Sequence, residues 1–230
     1  MEQVTLSEDC NYLCKALLQH PVFCRENKKA EFAELSRKLK TTICDFPSFI
    51  EAATKLTMYF GDGHTNIELP YTKEETCLKL LCGWDGNRLV LNEKKGDIPV
   101  GSEIISIEDK SIPELVAFAE TRIPHENIYL VKSRMVEYPY QNYHIFSELN
   151  LRLLCGKKES YSVRFLVEGK PVERRISLDK YDGYFDFSAE PFVSLEVRDN
   201  TLVFHLRECI YNEEYKNALR QAAELCKEKK

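Results

Sequence analysis

The sequence is poor in glycine and proline and contains no long apolar run. Its 230 residues include only 9 Gly and 9 Pro, which excludes a collagen-like or low-complexity chain. Because the apolar runs are only a few residues long, no membrane-spanning helix is expected, and a membrane is not an expected partner. With 43% hydrophobic residues, the chain has the means to bury a core, and its length fits one domain plus a smaller module.

An excess of basic residues is also missing. The 32 Lys and Arg residues are outnumbered by 37 Asp and Glu residues, which gives a formal net charge of −5. Proteins that bind nucleic acid through its phosphates usually carry a basic patch and a high isoelectric point. Nucleic acid is therefore not an expected partner.

The 9 cysteines follow no metal-binding or disulfide pattern. Cys10 and Cys14 are one helical turn apart, but no second pair follows at zinc-finger spacing. His205 and Cys209 have a similar spacing, but His205 belongs to a strand pattern without a third ligand near it. We therefore expect no metal, no cofactor, and free thiols in a reducing compartment. The N-terminus lacks the basic and apolar regions of a signal peptide, which favours a cytoplasmic location.

Helical spacing of apolar residues predicts an N-terminal helical subdomain over residues 1–70. Thr5 and Glu8 fit a capping box for the first helix. Asp45–Ser48 predicts the start of the last helix, with Glu51 three residues after the serine.

That last helix is predicted to end at Gly61–Gly63, where two glycines occur within three residues. Thr65–Leu69 alternates between polar and apolar residues, which predicts a short strand. The helical subdomain therefore presents one histidine, His64, at a corner between a helix and a strand.

From residue 77 onward the apolar period changes from about 3.6 to 2, which predicts a β-rich domain over residues 71–180. The Asp85-Gly86 pair predicts a hairpin, and Ser111 is placed to cap a helix. A helical, aromatic-rich insertion is predicted over about residues 125–155. The predicted strands are Leu78–Leu81, Arg88–Leu91, a buried strand before a tight turn at Asp109-Lys110, Tyr161–Val167 and Val172–Leu178. Residues 181–230 follow, with a predicted strand at Leu202–Leu206 and an amphipathic helix over about 212–228.

Three of these segments resemble successive parts of the serine peptidase family S41, the C-terminal-processing and tricorn-like proteases. Gly61–Thr65, with the sequence GDGHT, resembles the DGHT corner of that family. Ile104–Leu115 resembles the I-x-x-I-x-G-x-x-[IV]-x-x-L hallmark of its PDZ-like domain, with Asp109-Lys110 where the family usually has Gly or Asn-Gly. Residues 200–225 resemble the first strand and helix of the catalytic half.

The resemblance implies an α+β fold. It consists of an N-terminal helical subdomain, a PDZ-like β-rich domain with a helical insertion, and the first strand and helix of a truncated α/β catalytic half. Members of the family are often exported, so the resemblance implies that an exported location is also open. The N-terminus, by contrast, favours a cytoplasmic location.

The nucleophilic serine of that family has no counterpart in the sequence. In the family the last helix leads into a strand reading D-L-R-x-N-x-G-G and then to the nucleophile, whereas this sequence ends before such a segment. There is no G-x-S-x-G motif. Ser162 and Ser177 lie in predicted strands, while Ser7, Ser48 and Ser111 fit helix caps. The resemblance therefore implies the N-terminal part of a serine endopeptidase that is inactive alone.

His64 is the candidate catalytic residue that the resemblance implies. In tricorn-like members a histidine at this corner is the base for the serine, whereas in the processing branch a lysine serves as the base. An imidazole suits this chemistry because its pKa lies near neutral pH. The residues alone also allow His64 to cap the preceding helix. Asp62 is a candidate for orienting the imidazole, although an aspartate in a turn usually bonds its own backbone.

The PDZ-like resemblance implies the capture of a peptide or an unfolded protein C-terminus by strand addition. The candidate binding residues are Leu115 and Phe118 on the predicted helix 113–121, together with Gly101 in the preceding loop. Burial of Leu115 and Phe118 in the core of the domain is the alternative. The corresponding alternative function is a non-catalytic PDZ-like interaction module. An unpaired strand edge near the C-terminus also predicts self-association into a homo-oligomer.

Overall fold

The computed structural model describes residues 3–25, 28–137, 140–182, 192–206 and 210–228. The chain divides into two compact units, Met1–Tyr184 and Phe185–Lys230. The fold is α+β, with a helical part followed by a β-rich part, which confirms the predicted fold class. The subdivision of the first unit near residue 70 stays a prediction.

The helical part of the first unit has its own apolar core. Its helices are α1 (Gln3–Leu17), α2 (Val22–Arg25), α3 (Lys29–Lys40) and α4 (Phe46–Met58). The amphipathic faces of these helices meet because each carries apolar residues three or four positions apart. The buried cluster consists of Cys10, Cys14, Phe23, Phe32, Leu39, Ala52 and Leu56.

The starts of two helices differ from the predicted ones. Because α1 begins at Gln3, Thr5 and Ser7 lie inside the helix and the predicted caps at these positions are wrong. At α4 the capping box is formed by Asp45 and Ser48, since Ser48 N donates to Asp45 Oδ1 at 2.9 Å and Asp45 N donates to Ser48 Oγ at 3.0 Å. Glu51 takes no part in this cap and pairs with a residue of the β-rich part.

The β-rich part is built on an antiparallel sheet with the strand order β2-β3-β4-β6-β7. The short β5 pairs with β4, and β1 pairs with β8 as a separate ribbon. The strands are β1 (Thr76–Cys77), β2 (Cys82–Asp85), β3 (Arg88–Leu91), β4 (Glu103–Ile107), β5 (Lys110–Ser111), β6 (Ser160–Val167), β7 (Lys170–Ser177) and β8 (Asp179–Lys180). The helices are α5 (Ile112–Glu120), α6 (Ile128–Glu137) and α7 (Glu148–Cys155), the last two within the insertion predicted over about 125–155.

The predicted strand Leu78–Leu81 is wrong, and the strand lies a few residues later. The turn of the β2–β3 hairpin lies between the paired residues Asp85 and Arg88, so the pairing runs outward to Cys82 opposite Leu91. Leu78 is buried as a loop residue whose N–H donates to Phe146 O at 2.9 Å. The apolar residues Leu78 and Leu80 alternate with a polar one because both are buried in a loop.

The predicted strand Thr65–Leu69 is also wrong, because a side chain satisfies this segment in place of a neighbouring strand. Leu69 N donates to Asn142 Oδ1 at 3.0 Å, and Asn142 Nδ2 donates to Ile67 O at 2.7 Å. The buried Asn142 thus offers one acceptor and one donor to an extended backbone, as a paired strand would.

The start of α5 agrees with the sequence. Ser111 is the N-cap, and its backbone N–H donates to Glu114 Oε2 at 2.8 Å in a capping box. The turn before it is centred one residue earlier than predicted, at Glu108 and Asp109, where Glu108 has a φ of 52°.

The second unit contains an antiparallel hairpin and one helix. Its elements are β9 (Val193–Arg198), β10 (Thr201–Leu206) and α8 (Glu213–Glu228). The strand at Leu202–Leu206 and the helix are confirmed, whereas β9 is not predicted by the sequence. Among the described residues, no helix has the length and apolar character needed to cross a membrane.

Candidate catalytic site

The corner that follows α4 is a turn held by one aspartate. Asp62 Oδ1 accepts a hydrogen bond from His64 N at 3.0 Å, and Asp62 Oδ2 accepts one from Thr65 Oγ1 at 2.7 Å. The chain enters the turn through Gly61, whose φ of 58° is readily adopted only by glycine. Asp62 therefore bonds its own backbone, as an aspartate in a turn usually does.

His64 presents its imidazole to solvent at the tip of this turn. Its side chain is 95% exposed, and its Nδ1 lies 3.4 Å from Asp62 Oδ1. Among the described residues, no serine hydroxyl is hydrogen-bonded to this imidazole. The ring is thus accessible to a group from outside, with a carboxylate beside one of its two nitrogens.

The carboxylate of Asp62 is held in its ionised form. Hydrogen bonds from the His64 backbone and from the Thr65 hydroxyl lower its pKa to about 2. A carboxylate that stays charged at neutral pH can accept the Nδ1–H of a neutral imidazole and stabilise an imidazolium. This is the electrostatic arrangement that a histidine base requires.

His20 is a second histidine at the corner, and no pattern in the sequence predicts it. Its Nδ1 accepts a hydrogen bond from Val22 N at 3.2 Å, so in the neutral ring Nε2 carries the proton. That Nε2 lies 2.9 Å from Thr65 Oγ1, to which it donates, and 3.6 Å from Asp62 Oδ2. His20 therefore stabilises Thr65, whose hydroxyl donates to Asp62. No spacing motif joins positions so far apart in the sequence.

Glu126, at the start of the helical insertion, fixes the corner from the other side. Gly63 N donates to Glu126 Oε1 at 2.9 Å. A Cβ on Gly63 would lie 2.5 Å from Leu130 Cδ2, so this contact requires a glycine or a shift of the leucine. Gly63, the second glycine of the GDGHT sequence, thus allows the turn to pack closely against the insertion.

Among the described residues, Asp62, His64 and Glu126 form a group that could hold a metal ion. Their ligand atoms lie within 4.8 Å of one another, but Glu126 and His64 are exposed, and exposed acidic groups often gather without a metal. The expectation of no metal stays a prediction. The other spacing considered, His205 with Cys209, is only partly described: His205 Nε2 lies 3.5 Å from Glu196 Oε2, and Cys209 lies outside the described residues.

The predicted peptide-binding residues occupy three different environments. Leu115 is fully buried in the core of the β-rich part. Phe118 is partly buried, with the guanidinium carbon of Arg122 5.2 Å from the centre of its ring. Gly101 has a φ of 80° and donates its N–H to Leu91 O at 2.8 Å. Their role in peptide binding stays a prediction.

The serines occupy structural positions. Ser111 caps α5, while Ser162 and Ser177 lie in β6 and β7 as predicted. Ser162 and Ser177 lie within strands, whereas Ser111 stands between β5 and α5. The Ser111 hydroxyl donates to Glu114 Oε2 at 2.7 Å within the capping box, so it serves the cap.

Comparison with known proteins gives a likeness of fold. No protein-family model matches the sequence, and no curated protein is similar to it in sequence. A crystal structure of a serine-to-alanine mutant of CPAF, a serine protease, has a similar fold, with a TM-score of 0.52 and 14% sequence identity. The match covers 77% of this chain and 34% of the CPAF chain, so the chain spans about a third of that protein. The likeness shows a fold shared with that part of CPAF.

Proposed function

We propose that this chain supplies the histidine corner of a serine endopeptidase of the S41 type. The observation that carries the proposal is the exposed imidazole of His64 with Nδ1 3.4 Å from Asp62 Oδ1. The fold likeness to CPAF, a serine protease, supports it. The resemblance of Gly61–Thr65 to the DGHT corner supports the assignment of the base.

In the proposed reaction, His64 accepts the proton of a serine hydroxyl through Nε2 while that oxygen attacks the carbonyl carbon of a peptide. Asp62 accepts the Nδ1–H and stabilises the imidazolium that forms. The distance of 3.4 Å is longer than a hydrogen bond, and such contacts commonly tighten when substrate binds. His64 then returns the proton to the leaving amine.

The nucleophile of this mechanism comes from residues other than those described. The β-rich part would act as the PDZ-like module that captures the peptide, in keeping with its antiparallel sheet. The substrate class is therefore an extended polypeptide.

The test is active-site labelling of the natural protein that contains this chain. We expect a fluorophosphonate probe to label a serine, and the label, mapped by mass spectrometry, to lie outside the described residues. His64→Ala should reduce the labelling rate by at least about 100-fold, because the hydroxyl loses its base. His205→Ala is the matched control, since His205 is also partly exposed and also lies near a carboxylate.

A non-catalytic peptide-binding module is the second candidate function. Two observations favour it: no described serine hydroxyl bonds His64, and within the described residues β7 pairs with a strand on one side only. The same experiment separates the two functions, because a module without a nucleophile takes up no fluorophosphonate. Labelling that is unchanged in His64→Ala would contradict the proposed base.

A further inference from the structure

The two edges of the five-strand path in the sheet differ in what lies beside them. At one edge, Trp84 of β2 donates its indole N–H to Lys132 O of α6 at 2.7 Å, and the Lys132 ammonium lies 4.8 Å from the indole ring. A helix therefore packs beside β2. At the other edge, β7 pairs with β6 and with no other strand of the described residues.

The register of the β6–β7 hairpin shows which backbone groups of β7 point outward. Val167 and Lys170 flank the turn as a pair, so alternate residues of β7 from Lys170 onward bond to β6. The N–H groups of Glu173, Arg175 and Ser177 consequently face away from the sheet. These N–H groups, with the outward C=O groups of the same residues, form a row of donors and acceptors that can pair with another extended chain. Glu173 O also accepts a bond from Arg174 Nη1 at 2.8 Å.

A groove of about 390 Å³ runs beside this open edge. Its walls are the loop that contains Lys95 and Asp97 and the end of β7. Its apolar lining includes Ile98 and Ile176, which are only 2% and 8% exposed. A groove with this lining can take one aliphatic side chain from a strand that lies along β7.

The charges around the groove favour an acidic ligand. Arg174 is neutralised by Asp97, with Nε donating to Oδ1 at 3.0 Å, and Asp179 pairs with Lys79 at 3.4 Å. Arg175 bonds the neutral hydroxyl of Ser160 at 2.7 Å. Within the described part of the chain, neither Arg175 nor Lys95 forms an ion pair within 4 Å, although Glu108 interacts with Arg175 and Asp179 with Lys95 at longer range. With three cationic side chains (Lys95, Arg174 and Arg175) against two carboxylates (Asp97 and Asp179), the lining keeps an excess of positive charge.

We propose that the outer edge of β7 and the adjoining groove bind an extended peptide with an aliphatic side chain flanked by carboxylates. The peptide pairs with the outward backbone groups of Glu173, Arg175 and Ser177, and its carboxylates face Arg175 and Lys95. The inference rests on the peptide capture within the proposed function and places it on β7, away from α5. It is independent of the base assigned to His64.

The test is the binding of a fluorescein-labelled peptide in which Glu and Val alternate, measured by fluorescence anisotropy with this chain. A twin peptide with Lys in place of every Glu is the ligand control. We expect the acidic peptide to bind at least about 10-fold more tightly than its twin, with the preference shrinking as salt is raised. Equal affinities for the two peptides would overturn the proposal.

Two variants separate the backbone contribution from the charge. Ser177→Pro removes an outward N–H without removing a bond to β6, and Arg175→Glu reverses an exposed charge. Each is expected to weaken the acidic peptide by about 10-fold or more, while Arg88→Glu, an exposed arginine on β3, leaves binding unchanged. Circular dichroism checks that both variants fold. If Ser177→Pro does not fold, the binding measured with Arg175→Glu alone decides whether the proposal holds.

Hydrogen exchange locates the bound peptide. The amides of Glu173, Arg175 and Ser177 should exchange rapidly in the free protein and at least about 10-fold more slowly with saturating peptide. Unchanged exchange at these three amides, or protection already present in a dimer seen by sedimentation, would overturn the proposal. Because the assay involves no hydrolysis, its failure would leave the His64 assignment standing, and His64→Ala should bind the peptide normally.

Discussion

The guanidinium of Arg122, just after α5, forms an ion pair with the carboxylate of Glu51 in α4. The Arg122 side chain is only 7% exposed, and its Nε and Nη2 have no hydrogen-bond partner in the described structure. The charge of this buried cation is therefore balanced chiefly by Glu51. The pair joins the helical part to the β-rich part within the first unit.

Removing the carboxylate of Glu51 should accordingly destabilise the folded protein. We expect Glu51→Gln to lower the free energy of unfolding by about 3 kcal/mol, because it leaves a buried guanidinium uncompensated. Urea denaturation measures this. The double variant Glu51→Met with Arg122→Met should recover most of the loss, since both charges are then absent.

The exposed pair of Glu34 and Arg37 provides the matched control. Glu34→Gln should leave the urea midpoint unchanged within error, because exposed ion pairs are screened by solvent. A Glu51→Gln variant as stable as Glu34→Gln would show that Arg122 does not depend on its partner.

Asp62→Asn is expected to separate the orientation of His64 from the folding of the turn. The amide oxygen can still accept the bond from His64 N, whereas the amide nitrogen cannot accept the bond from Thr65 Oγ1, so the free energy of unfolding should fall by about 1 kcal/mol. The amide cannot stabilise an imidazolium as a carboxylate does, so kcat of the natural protein should fall by about 10²–10⁴-fold with KM nearly unchanged. Thr65→Val removes the same turn bond and keeps the carboxylate. If Thr65→Val lowers kcat as much as Asp62→Asn does, Asp62 acts through the turn alone.

The buried His144 should make the first unit sensitive to mild acid. Burial lowers the pKa of His144 to about 3, while Tyr71 contributes a hydroxyl 2.7 Å from its Nδ1. Between about pH 6.5 and pH 3 the unfolded chain binds a proton that the folded chain does not. The free energy of unfolding should therefore fall as the pH is lowered through this window, by roughly 2 kcal/mol between pH 6.5 and 4.5.

Urea titrations at several pH values between 7 and 4.5 measure this effect. Asp62 and the other carboxyl groups with a lowered pKa lose their contributions only at lower pH, so the window reports mainly on the histidine. Replacing both members of the pair, in Tyr71→Phe with His144→Phe, should flatten the profile. An equally steep profile in that variant would refute the assignment.

The parts of the fold that the sequence predicts are those with strong local signals. Ser111 caps α5 because its partner Glu114 lies three residues away, and the β2–β3 hairpin forms because Gly86 adopts a φ of 60° at the turn. These signals depend on residues adjacent in the chain. Contacts with distant residues do not change the local structures that these signals predict.

The errors arise where a distant residue replaces a local partner. Asn142 satisfies the backbone of residues 67–69, so an alternating segment there forms no strand. Leu78 and Leu80 alternate because both are buried in a loop. The apolar periodicity of either segment does not show tertiary contacts of this kind, so the sequence pattern alone could not predict them.

The candidate site divides in the same way. His64 and Asp62 are proposed from a short motif, and in the structure the imidazole lies beside the carboxylate, while their catalytic role stays a prediction. His20 and Glu126 reach the corner from distant positions and share no motif with it. The groove at β7 depends on the pairing of the whole sheet, which the individual strand patterns do not specify.

The most direct test of the central claim is the steady-state hydrolysis of a fluorogenic peptide by the natural protein that contains this chain. For His64→Ala we expect kcat to fall by at least about 10³-fold with KM nearly unchanged, and for His205→Ala we expect neither to change. A His64→Ala enzyme that retains the activity of the His205→Ala control would contradict the assignment of His64 as the base.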